Sequence, residues 1–219
     1  MDSVKHDVMN RRNFLKAGAV TTFIIAADLT PSAAKTDASE YATENPNQTG
    51  FLYDQKKCVN CKICVNSCKS AMKWEEGTEW RRLLLSQKKP GCFLSISCNH
   101  CEKPDCVSVC PVKAYAKRKK DGAVIHDRDV CIGCKYCMYA CPYGAPQFSK
   151  STKRISKCHF CFERLDKGEE PVCVSMCPMG ALSFGLLKDI KKIPGAVSQL
   201  GKMPNPELTK PSLAIIPKL

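Results

Sequence analysis

Hydrophobic and polar positions alternate along this chain only in short bursts, so the elements they predict are short. Residues 93–97 (FLSIS) and 182–184 alternate as strands do. Residues 115–118 and 123–127 (AVIHD) flank Asp121-Gly122, which predicts a hairpin. Residues 74–85 (WEEGTEWRRLLL) predict a strand pair turning at Gly77, with Trp74 and Trp80 as packing residues. A weakly apolar run at 17–27 falls well short of the roughly 20 residues that span a bilayer, and 213–216 is shorter still. Residues 35–50 show no hydrophobic period and predict a flexible polar leader. Prolines at 194, 204, 206, 211 and 217 favour extended chain over 186–219.

So few apolar positions need another source of order, and the cysteines supply one. The chain has 219 residues and 17 cysteines, an odd number that argues against a closed set of disulfides. Residues 129–146 read DVCIGCKYCMYACPYGAP. Cys131, Cys134, Cys137 and Cys141 there have the C-x2-C-x2-C-x3-C-P spacing of a bacterial ferredoxin loop. Such a loop brings three thiolates to one cubane, and the fourth cysteine faces a second cluster. Gly133 suits the turn because it lacks a Cβ. Structural zinc sites pair two short halves across a longer gap, and nothing in zinc chemistry calls for the proline.

Three further motifs repeat the pattern. The first is Cys58, Cys61, Cys64 and Cys68, followed by Lys69 instead of proline. The second is Cys98, Cys101, Cys106 and Cys110, with four residues in its middle gap. The stretch at 129–146 is the third, and the fourth is Cys158, Cys161, Cys173 and Cys177, whose eleven-residue gap predicts a surface excursion. The segments CVSVCPVKA, CMYACPYGA and CVSMCPMGA share cysteine, proline and alanine, which points to duplication of a ferredoxin half-unit. The fold class expected is α+β: tandem or nested bacterial ferredoxin-like domains, with short helices and β-hairpins around 4Fe-4S clusters, metal binding supplying much of the folding free energy.

Because the fourth cysteine serves a partner motif, motifs two and three can pair inside one and four. One with two and three with four satisfies the spacing equally well. In the nested case the sets are Cys58, Cys61, Cys64 and Cys177; Cys68, Cys158, Cys161 and Cys173; Cys98, Cys101, Cys106 and Cys141; and Cys110, Cys131, Cys134 and Cys137. The formal charge of +13 counts cysteines as neutral. An oxidised cluster with four thiolates carries about −2, so four of them leave about +5. With no recognised module present, nucleic acid is not the expected partner. The lysine runs at 117–120 and 150–157 read as solvated loops or as a docking face for an acidic partner.

The amino terminus reads as an address. Arg11 and Arg12, then Phe14-Leu15-Lys16, a modest apolar run and Pro31-Ser32-Ala33-Ala34 match a twin-arginine export signal, with cleavage expected after Ala34. Clusters are assembled in the cytosol, and this route accepts folded cargo.

The run from 95 to 185, SISCNHCEKPDC through DVCIGCKYCMYACPYGAPQF to CVSMCPMGALSFG, resembles the four-cluster iron–sulfur subunit of dimethyl sulfoxide reductase and its relatives among the molybdopterin oxidoreductases. Tetrathionate, polysulfide and thiosulfate reductase subunits are among those relatives. The likeness covers roughly 54–185 and the tail TKPSLAIIPKL. It implies an electron-transfer subunit, itself non-catalytic, set between a membrane quinol-oxidising subunit and a molybdopterin catalytic subunit of an anaerobic respiratory reductase. It also implies nested ligation, and therefore an outer domain of 51–92 with 150–185, an inserted domain at 93–149, and an arm at 186–219 that wraps a partner. Relatives with a three-iron cluster lack the cysteine that is Cys134 here, so four 4Fe-4S clusters are implied. The chain's own export signal departs from many such subunits and implies a periplasmic place, peripheral to the inner membrane. A tetrathionate-type, thiosulfate or polysulfide reductase subunit, a free polyferredoxin shuttle and, more remotely, a zinc-binding module are the other readings.

A few residues stand outside the motifs' ligand sets. Cys92 reads as a buried unliganded thiol. His100 and His159 read as donors to cluster sulfur or solvent. Tyr136, Tyr139 and Tyr143 read as packing around the cubane. No GxGxxG, Walker loop or Ser-His-Asp order is present to suggest catalysis.

Overall fold

The computed structural model describes residues 45–85 and 91–218. The export segment at 1–34 and most of the leader at 35–50 lie outside them. The central element is β1 (Thr49–Asp54), flanked by β8 (Leu182–Leu186) on one side and β9 (Leu213–Ile216) on the other. β8 runs antiparallel to β1, with Tyr53 opposite Leu182, and β9 runs parallel, with Phe51 opposite Leu213. Three two-stranded ribbons complete the strands: β2 (Arg82–Leu85) with β3 (Phe93–Ile96), β4 (Tyr115–Lys117) with β5 (Val124–His126), and β6 (Gln147–Phe148) with β7 (Ile155–Ser156).

Helices sit where the cysteine motifs lie. They are α1 (Ile63–Met72), α2 (Asp105–Ser108), α3 (Tyr136–Ala140), α4 (Phe162–Asp166) and α5 (Val172–Ser175), followed by α6 (Leu187–Ile190). Among the described residues only α1 is longer than five residues. Lys69, standing where the other three motifs have proline, lets α1 run on one further turn past Cys68. The cores are built from cysteine as much as from aliphatic carbon. Cys64 and Cys173 pack with Phe51, Tyr53, Phe160, Leu182 and Ile215 in one cluster, and Cys106 and Cys137 with Tyr115, Val124 and Ile155 in another. Among the described residues no helix is long and apolar enough to cross a membrane.

The expected hairpin around Asp121-Gly122 is present as β4 and β5. The strand pair expected at 74–85 is not: Gly77 does turn the chain, but β2 pairs with β3 instead. The stretch before it is drawn inward, with Trp74 buried and Glu75 accepting a hydrogen bond from Ser156 Oγ at 2.8 Å while pairing with Arg128. The tail read as a partner's arm packs on its own chain. Leu213, Ala214 and Ile215 are buried in the central sheet, and the Glu102 and Lys103 amides donate to the Lys210 and Thr209 carbonyls.

Candidate metal centres

Each motif folds the same way, and the repetition reaches down to single dihedrals. The first two cysteines lie in a loop and the third lies on a short helix. The second residue after the first cysteine is left-handed every time: Asn60, His100, Gly133 and Phe160, with φ of 60, 44, 71 and 63°. Three of these four are not glycine, so the loops hold local strain of about 1–3 kcal/mol apiece. That turn points backbone donors at sulfur. The Gly133 amide lies 3.4 Å from Cys131 Sγ, and the Phe160 amide 3.4 Å from Cys158 Sγ. At Gly133 a Cβ would stand 2.2 Å from the Lys153 carbonyl oxygen, so no other residue fits.

The C-P-x-x-A repeat has a cause of the same kind. Lys113, Gly144 and Gly180, three residues after a fourth cysteine, are again left-handed, with φ of 51, 60 and 56°. The next amide is thereby turned back: Ala114 donates to Cys110 Sγ and Ala181 to Cys177 Sγ, both at 3.2 Å, and Ala145 reaches Cys141 in the same way.

The sixteen motif cysteines gather in four sets. One cavity is lined by Cys58, Cys61, Cys64 and Cys177, with Tyr53, Leu83, Ser95 and Leu182 as walls (site A). Another is lined by Cys110, Cys131, Cys134 and Cys137, with Tyr115, His126 and Ile155 (site D). In site B, burial pushes the Cys68 thiol well up, and the neighbouring Cys158, Cys173 and Cys161 push further. In site C, burial raises Cys101 to about 12 with Cys98 and Cys141 beside it, and holds Cys106 well above the ordinary thiol value, again beside Cys98, Cys141 and Cys101. Cys158, raised by burial to about 12, feels Cys98 next, which makes B and C neighbours. Cys64 of A and Cys68 of B are one turn apart on α1, and Cys137 of D and Cys141 of C lie at the two ends of one turn at α3. The spatial order is therefore A, B, C, D. Cys61 in A and Cys134 in D are exposed, whereas no cysteine of B or C is.

The surroundings fit a sulfur-rich, negatively charged group. All 17 cysteines are free, so no disulfide competes for them. Of the buried polar atoms, His126 Nε2 lacks a hydrogen-bond partner, Tyr115 Oη faces the Cys137 thiol, and Thr209 Oγ1 lies by the Cys101 thiol and Tyr143. Tyr115 and His126 line site D, and Thr209 from the tail faces Cys101 of site C. An orphan such as His126 Nε2 is costly unless an acceptor joins it, and cluster sulfur is one.

Of the two histidines inside C-x2-C loops, only His100 turns toward a thiol. The Val124 amide donates to its Nδ1 at 3.0 Å, so its proton sits on Nε2, 3.7 Å from Cys158 Sγ. Burial holds its pKa well below the ordinary value, and the ring stays neutral. His159 instead faces Glu163 at 3.5 Å. Cys92 is buried and outside all four sets. Tyr143 is buried as expected, but Tyr136 and Tyr139 are 59% and 87% exposed, because α3 presents them to solvent.

Two cations escaped the sequence reading. Lys157, in a run read as solvated loop, is 3% exposed. Its Nζ donates to the carbonyls of Val124 at 2.5 Å and Cys158 at 2.9 Å, and stands 3.6 Å from Cys98 Sγ, between B and C. Arg81 is buried between β2, β3 and sites A and B. Neither has a sequence signal of its own; each is one basic residue in a basic stretch.

Residues 90–187 match the model of a 4Fe-4S dicluster domain. The chain is 39% identical over 183 residues to the B subunit of the anaerobic dimethyl sulfoxide reductase of Escherichia coli K12, covering 78% of this chain and 89% of that one. It is 39% identical over 179 residues to the B subunit of the polysulfide reductase of Wolinella succinogenes, covering 77% and 93%. With the hydrogenase-2 operon protein HybA of E. coli O157:H7 it shares 36% over 216 residues, covering 83% and 64%.

Proposed function

Since the chain belongs to the iron–sulfur electron-transfer subunits of the molybdopterin oxidoreductase family, we propose that it holds four 4Fe-4S clusters at sites A to D and passes electrons along them in that order. It is an electron-transfer chain of an oxidoreductase complex and not the catalytic one. The observation that carries the proposal is the placing of exposure: one exposed cysteine at each end site, Cys61 and Cys134, and none in the middle.

The bound clusters supply reversible one-electron carriage. The chain's residues do the rest. Cys58, Cys61, Cys64 and Cys177 would hold one cluster, Cys68, Cys158, Cys161 and Cys173 the next, Cys98, Cys101, Cys106 and Cys141 the third, and Cys110, Cys131, Cys134 and Cys137 the last. The two cavities and the mutual neighbourhood of the buried thiols support this nested pairing, and with it an outer ferredoxin-like unit enclosing an inserted one. Backbone amides turned inward at the left-handed residues, and the His100 Nε2–H, stabilise negative charge on sulfur. Exposed apolar side chains border both ends, Val59, Met176 and Met179 near A and Val130, Ile132 and Tyr136 near D, and suit contact with other subunits.

By its kinship the chain docks between a molybdopterin catalytic subunit and a membrane quinol-oxidising subunit of an anaerobic respiratory reductase. Likeness to the sulfoxide and polysulfide reductase subunits is equal at 39%, so the reading names the class of complex and not its substrate. Iron and acid-labile sulfide should be found in anaerobically prepared protein, with electron paramagnetic resonance (EPR) signals after reduction. Zinc without sulfide would end the proposal, and purification free of any catalytic partner would favour a soluble shuttle. Periplasmic placement follows from the Arg11-Arg12 signal. Changing both arginines to lysine should leave the protein in the cytosol; arrival in the periplasm would show that it rides on a partner.

A further inference from the structure

Arg81 is the largest of the fully buried side chains, 2% exposed. Its Nη1 donates to Ser95 Oγ and its Nη2 to Ser97 Oγ, each at 3.0 Å, and its guanidinium carbon lies 4.6 Å from the centre of the Phe51 ring. No carboxylate stands within ion-pair distance of it among the described residues. Two hydroxyls and a ring face take up part of its hydrogen-bonding capacity and none of its charge. Arginine does not escape burial by losing a proton, so the charge has to be answered by something else nearby.

What lies nearby is sulfur from two sites. Cys173, Cys158, Cys64 and Cys68 are the groups whose charge the guanidinium would feel once they ligate iron as thiolates. Cys64 belongs to site A and the other three to site B. A direct relay also exists: Ser95 Oγ accepts from Arg81 and stands 3.7 Å from Cys64 Sγ, so its own hydrogen is free to point at that sulfur.

We propose that Arg81 is the shared counter-ion of sites A and B, set between them to favour the reduced state of both and so raise their midpoint potentials. Reduction of either site adds one electron and one negative charge, with no bond made or broken, and a fixed cation stabilises the added charge. The proposal rests on the reading that A and B hold 4Fe-4S clusters. It distinguishes Arg81 from a plain strut between β2 and β3, because a strut would leave the potentials where they are.

The test is an EPR-monitored redox titration of the full chain, comparing Arg81→Gln, Arg81→Lys and Ser95→Ala with the parent. Signals are assigned by their loss in Cys177→Ser for A and Cys68→Ser for B. In Arg81→Gln the reduction equilibrium at A and B should fall at least tenfold, which is 59 mV for a one-electron couple. Sites C and D should not move. Arg81→Lys should stay within about threefold of the parent, since Coulomb attraction follows charge, and Ser95→Ala should lower A alone. Arg81→Gln protein that loads fully and keeps parental potentials at A and B overturns the proposal. Loading by Arg81→Lys but not Arg81→Gln supports it, because charge is what the two differ in. If neither loads, Ser95→Ala decides: a fall at A alone supports the relay, and no change overturns it. Absence of cluster signals from the parent would instead remove the underlying reading.

Discussion

Replacing Cys177 by serine should abolish or convert the cluster held by Cys58, Cys61 and Cys64, and leave the one held by Cys131, Cys134 and Cys137 intact. Cys177 lies 113 residues beyond Cys64 in the sequence, yet both line one cavity. The substitution replaces a soft thiolate ligand by a hard hydroxyl and puts a smaller oxygen where the Ala181 amide finds sulfur. Iron content should fall by one cluster's complement, and one EPR signal should vanish or take a three-iron form. Cys110→Ser is the counterpart and should act on site D. Were the effects exchanged, so that Cys177→Ser altered the Cys131 site, pairing would be sequential and the nested scheme wrong.

Withdrawing iron should have the largest effect of all: the chain should lose its cooperative fold. Cys64, Cys68, Cys98, Cys106, Cys137, Cys158, Cys161 and Cys173 are buried, and without iron each is a small apolar filler. Arg81 and Lys157 would then lie buried with no negative partner, at an effective penalty of several kcal/mol per ion. Whole-domain stabilities are only about 5–15 kcal/mol. Chelation of the reduced protein, followed by circular dichroism and thermal melting, should show loss of the cooperative transition; a sharp transition retained without iron would refute this. Reloading should release protons. A ligand must be a thiolate, and the thiols of the unfolded, iron-free chain, with an ordinary value of 9.0, are protonated at neutral pH, so iron has to displace those protons. Reloading should therefore strengthen as pH rises from neutral toward 9.0.

What could be read in advance was local. The cysteine spacing, the C-P-x-x-A repeat and the Asp121-Gly122 hairpin are each set within about a dozen residues, and their geometry follows from the turn that each requires. The pairing of motifs was open from spacing alone, because it depends on where the chain returns. β9 was missed for the same reason: four residues after a proline look like extended chain until β1 is known to offer a parallel edge. Arg81 and Lys157 were hidden because basic side chains are ordinarily outside, and only a buried negative group makes these positions tenable. Tyr136 and Tyr139 were misjudged because a five-residue helix has one inward face, and at α3 Cys137 occupies it.

The exposure of Cys61 and Cys134 bears on how such a protein fails in air. In the proposed relay, oxygen and peroxide would reach the two termini first, while the sheltered interior pair would keep its iron and its colour. Conduction in series stops when either terminus is lost. A brown solution can therefore be electrically dead, and its visible absorbance will overstate the fraction of molecules still able to pass current.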